Sequence, residues 1–167
     1  MQRWKAIIFN VSLVFNCLLL FLVIFESKLA VPVWLQIAGR MHPLVLHFPL
    51  VLIVVYALAV LFLPPHKTPT EITYANAVSF VLLIAAFTAI TTSLMGLFLS
   101  KEEGYDADAL LWHKWGGIAI AWFTLGWYAF HQKIQTRKIV TVGTSFIALL
   151  LIIVTGHLGA SVTHGET

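Results

Sequence analysis

The chain has 167 residues, 60% of them hydrophobic and only 10% charged, with a formal net charge of +3. That balance is too apolar for the surface of a soluble domain of this length, so lipid is the expected solvent and nucleic acid is not an expected partner. A single cysteine, Cys17, excludes an internal disulfide.

A hydrocarbon core about 30 Å thick needs roughly 20 apolar residues of helix, each advancing about 1.5 Å. Five segments meet that length, at 6–25, 44–63, 75–99, 109–130 and 139–158, and the only Lys, Arg, Asp or Glu within them is Lys114. They predict an all-α integral membrane bundle of five transmembrane helices, with the second to fifth forming a four-helix bundle able to hold a cofactor. The connections are too short to carry a soluble domain with its own core. Function is therefore expected in the bundle or at its rims.

The first segment follows a basic start containing Arg3 and Lys5. It is longer than the apolar region of a secretory signal, about 7 to 15 residues, and is expected to stay on the chain. Cys17 is expected to be a small buried residue of this helix. Trp34, Leu35 and Ile37, which follow, predict a short segment in the headgroup zone, where tryptophan is favoured. Pro43 suits a first helical turn, and Pro49 removes a backbone donor and is expected to bend the second helix. On the third, Thr88, Thr91, Thr92 and Ser93 form a polar side expected to join helices, and Met95 sits near the outer end.

With the N-terminus in the cytoplasm, Arg3, Lys5, Lys67, Lys133, Arg137 and Lys138 fall inside, and Lys28, Arg40, Lys101 and Lys114 fall outside. Six basic residues against four favour this orientation, with the C-terminus periplasmic and the membrane the bacterial inner one. His42 and His47 then stand at the outer start of the second helix, His113 at the outer start of the fourth, and His157 and His164 at the outer end of the fifth. His66 and His131 fall on the inner side. The gathering of five histidines at one face survives inversion of the topology.

Ionisable residues in membrane helices are costly and usually face a functional interior. His47, His113 and His157 are expected in one layer on the order of 3 to 6 Å below the apolar boundary, with His42 and His164 in a shallower one. Gly116, Gly117 and Gly159 lie near these histidines, where small residues let helices approach or leave room for a flat macrocycle. Imidazoles in an apolar bundle suit the axial positions of haem iron. Without a C-x-x-C-H motif the haem would be b-type, one or two per chain, and Met95 is a lesser ligand candidate. Arg40, Lys101 and Lys114 at the same rim are candidates to pair with haem propionates or to snorkel to the interface. A histidine-lined divalent-metal site is the competing metal reading, and a non-redox scaffold or accessory subunit is the competing class.

Residues 41–49 (MHPLVLHFP), with 112–117 (WHKWGG) and 155–165 (TGHLGASVTHG), resemble an uncharacterised family of small bacterial membrane domains bearing an HP-x-x-x-HFP motif. That resemblance implies a b-type cytochrome, often linked to periplasmic c-type cytochrome domains, and marks His42, His47, His113, His157 and His164 as functional. No c-type sequence follows the last motif within these residues. The expected role is that of an electron-transfer subunit rather than a stand-alone enzyme, between a membrane donor such as quinol and a periplasmic c-type cytochrome or larger respiratory complex.

Overall fold

The computed structural model describes residues 2–62, 69–102 and 107–164; His66, Lys67 and the side chain of His164 lie outside the described residues. The described residues are almost entirely helical. In chain order they form α1 (Gln2–Ile24), a short 3-10 turn (Glu26–Lys28), α2 (Val33–Gly39), α3 (His42–Val45), α4 (His47–Leu61), α5 (Pro69–Leu99), α6 (Ala107–Gln135) and α7 (Lys138–His164).

Four stretches, Arg3–Ile24, Val33–Leu61, Thr70–Leu99 and Lys138–Thr163, are long and apolar enough to cross a membrane. The sequence predicts 109–130 as a further span. The structure gives this region a continuous helix, α6, of 29 residues, whose polar ends and interior His113 and Lys114 lower its apolarity. The helices also run past the predicted limits, α5 beginning at Pro69 and α7 ending at His164. An apolar count finds the part of a helix that fits hydrocarbon; its polar turns continue into the headgroup layer.

The predicted second segment is divided. The helical ladder breaks at Leu46, between α3 and α4. Pro49 is the physical cause: it offers no N–H to the carbonyl of Val45, and its ring crowds that carbonyl. The next bond, Leu50 N–H to Leu46 O, is long at 3.4 Å.

α5 is the central helix, packing against α1, α2, α3, α4 and α6, while α7 closes the ring by meeting both α6 and α4. Its small residues Ala85, Ala86 and Ala89 are buried, which lets neighbouring backbones come close. Leu82, Ile90 and Leu97 of α5 join Ile53 and Tyr56 of α4, Ile118 and Trp127 of α6 and Ala148 of α7 in one core. α1 lies outside this ring and buries mainly Ser12, Asn16 and Leu19. Cys17 is on the opposite side of that helix and exposed, which corrects the expected burial.

Two ends can be distinguished by their contacts. At one, Lys5 bonds Asn76 O and Ser79 Oγ, and Gln135 bonds the Tyr56 hydroxyl. At the other, Glu26 pairs with Lys101 and Lys114. α6 therefore runs the length of the bundle, antiparallel to α5 and α7.

Candidate histidine site

His42 opens α3 beneath the end of α5. Its Nδ1 lies 2.9 Å from the backbone oxygen of Thr92. His113, on α6, makes the same contact with the next helix in the chain: its Nδ1 is 2.9 Å from the backbone oxygen of Thr155 on α7. A carbonyl can only accept, so in each ring Nδ1 carries the proton. In the neutral imidazole that leaves the Nε2 lone pair as the free donor to a metal.

Each ring is seated on a glycine one turn beyond its threonine. A Cβ on Gly96 would stand 3.0 Å from Cε1 of His42, and one on Gly159 only 2.8 Å from Cε1 of His113. The two seats repeat the pattern Thr-x-x-x-Gly, at 92–96 and 155–159. Because residues four apart share one helical face, threonine carbonyl and glycine gap present themselves together. The pattern is visible in the sequence, where Gly96 passes unremarked and Thr92 reads only as a helix-joining residue.

The two seated rings meet edge-on, centres 6.1 Å apart and planes at 85°. Both side chains are half-buried, whereas His47 and His157 are exposed on the outer surface. The expected layer of His47, His113 and His157 is thus not assembled. The reason is azimuth. Depth along the axis places these residues together, but about 100° of rotation per residue turns His47 roughly 140° from His42, and His157 well over a right angle from Thr155.

The remaining predicted residues also find definite places. Gly159 makes room for the His113 ring, and a Cβ on Gly116 would overlap the Thr155 side chain. Gly117 accepts a 3.1 Å bond from Ser93 through its backbone oxygen, joining α5 to α6. The space beside these glycines is filled by imidazole, threonine and serine. Thr88 and Thr91 bond within their own helix. Met95 turns its backbone oxygen toward Gly39 of α2, 3.1 Å from where a Cβ there would stand.

The rim cations have carboxylate partners. Arg40 Nε meets Glu102 at 2.8 Å, and Lys101 meets Glu26 at 3.0 Å. Lys114, the neighbour of His113, shares that same Glu26 carboxylate. Burial alone would raise the Glu26 carboxyl, but hydrogen bonds and charge from Lys114 and Lys101 outweigh it and hold it below the usual range.

Among the described residues, no three His, Cys, Asp or Glu side chains gather as a metal-binding group. A closed zinc or copper site of three or four protein ligands therefore has no donor set there. Two imidazoles are a donor set that would suit a porphyrin iron, which brings four equatorial nitrogens of its own. Thr92 Oγ1, buried beside the His42 seat, has no hydrogen-bond partner among the described residues.

A family described as "Predicted membrane protein (DUF2231)" matches residues 40–165, from just before the first histidine seat to just past the second. No curated protein and no solved structure matches the chain.

Proposed function

The chain belongs to this family of predicted membrane proteins, DUF2231, and from that premise we propose that it is a b-type cytochrome domain of the bacterial inner membrane. One haem is held between His42 and His113 near the periplasmic face. The single observation that carries this is the pair of half-buried imidazoles from separate helices, ring centres 6.1 Å apart and each with Nδ1 tied to a backbone carbonyl.

Haem, when bound, supplies a one-electron ferric–ferrous couple. The chain's own residues do the rest. The carbonyls of Thr92 and Thr155 fix the tautomer and rotation of each imidazole and raise its basicity. Gly96 and Gly159 hold the rings against α5 and α7, so little movement accompanies electron transfer. Glu26 offsets half of the charge of Lys101 and Lys114 beside the site. The bundle crosses the membrane five times, α6 included, with the N-terminus cytoplasmic. With this pair near the periplasmic end, electrons pass between a membrane donor such as quinol and a periplasmic redox partner, a c-type cytochrome or a larger respiratory complex.

The test is an absorption spectrum of the purified chain reduced with dithionite. Soret and α bands at one haem per chain are expected, lost in His42→Ala and in His113→Ala and retained in His47→Ala and His157→Ala. A colourless wild-type protein after expression with ample haem would remove the proposal and leave an accessory or scaffold role.

A further inference from the structure

At the end opposite the histidines, α6 passes into α7 through a tight turn. Thr136 Oγ1 donates to Lys133 O at 2.7 Å and Thr141 Oγ1 to Ile134 O at 3.0 Å, fixing its shape. An open cleft of about 600 Å³ is cut into this turn, lined by Gln132, Lys133, Ile134, Thr136, Arg137 and Val140.

The turn that forms it is basic, and Glu71, in the first turn of α5 at the same end, has an interaction of its own. No Asp or Glu occurs between Asp108 and Glu166, whereas Lys133, Arg137 and Lys138 fall within six residues. At the histidine end, Arg40, Lys101 and Lys114 are each bound to a carboxylate. Lys5, at the same end as the cleft, is engaged by Asn76 and Ser79. Lys133 and Arg137 make no salt bridge among the described residues, so their charge is available to an outside anion. The wall of the cleft is apolar on the α7 side, where Val140 continues into Ile139, 88% exposed. A cationic mouth above an apolar wall, at the rim of a membrane bundle, matches an amphiphile with a negative head and a hydrocarbon tail.

We propose that this cleft binds the headgroup of an anionic phospholipid. The lipid phosphate accepts from the Arg137 guanidinium, whose planar fork suits a phosphate, and from the Lys133 ammonium. The Gln132 amide donates to headgroup oxygens, and Thr136, its own proton spent on Lys133 O, accepts from a glycerol hydroxyl. The acyl chain lies along Val140 and the outer side of α7.

Native mass spectrometry of the full chain, released from mixed micelles of phosphatidylglycerol and phosphatidylcholine, tests this. Phosphatidylglycerol should be retained over phosphatidylcholine by on the order of tenfold, and a K133Q/R137Q double variant should reduce that preference to near parity. Lys28→Gln, at the other end, should leave it intact. Equal retention of the two lipids, or an unchanged preference in the double variant, overturns the proposal. Displacement of the lipid by equimolar inorganic phosphate overturns it too, because it would identify a site for a free anion.

Discussion

At the scale of single residues, the histidine pair depends on what is missing beside it. Gly159 leaves a gap that the His113 ring fills, and a methyl group there would stand 2.8 Å from an imidazole carbon. The ring is pinned by its bond to Thr155 O, so it cannot retreat without losing that bond. Gly159→Ala is therefore expected to destabilise by about 1–3 kcal/mol, as overpacking does, and to weaken or shift the haem bands. Gly143 is the internal comparison, since nothing lies within 4 Å of a Cβ there. Gly143→Ala should be neutral or stabilising by up to about 1 kcal/mol, because alanine is the better helix former. Thermal unfolding in detergent with parallel Soret spectra measures both, and equal effects at the two sites would contradict the seat assigned to Gly159.

At the scale of elements, α1 stands outside both the four-helix ring and the stretch 40–165 matched by the family, yet the turn following it reaches the site. Glu26 clamps the end of α5 through Lys101 and the start of α6 through Lys114, one residue from His113. Partly exposed pairs are individually weak, and Glu26→Gln is expected to cost about 1 kcal/mol at neutral pH. The pH dependence has a definite sign. The carboxyl is held below its usual range in the folded chain, so its contribution is complete above the unfolded value of about 4.3 and disappears as pH falls through the lower folded value. Unfolding temperatures of wild type and Glu26→Gln should therefore differ near neutrality and converge as pH falls below the unfolded value and through the lower folded one. A constant gap across that range would mean that the clamp does not act through the carboxylate charge.

For the whole molecule, the proposed topology of five crossings with a cytoplasmic N-terminus puts the Glu26 end outside and the α6–α7 turn inside. In a Cys17→Ala background, a cysteine at Lys28 should react with an impermeant maleimide in intact spheroplasts, while one at Thr136 should react only after lysis; the reverse pattern would invert the orientation. Much of this architecture was legible in the apolar runs, because a bilayer admits only backbone that satisfies its own hydrogen bonds, and a run of about 20 apolar residues has little choice but helix. The bend near Pro49 was legible for a similar reason, proline lacking an N–H wherever it stands. The gathering of histidine-bearing helix ends at one rim likewise follows from connectivity. Which histidines meet does not. His42 and His47 share a motif, but their directions are set by rotation about the helix axis and by the break at Leu46, and only the packing of α3 against α5 and of α6 against α7 turns His42 and His113 inward. Glu26, an acid in a short loop, became part of the site only when α1 brought it beside two lysines more than seventy residues away. A one-dimensional pattern sets how deep a side chain lies along its helix; the neighbours that helix packs against decide which way it faces.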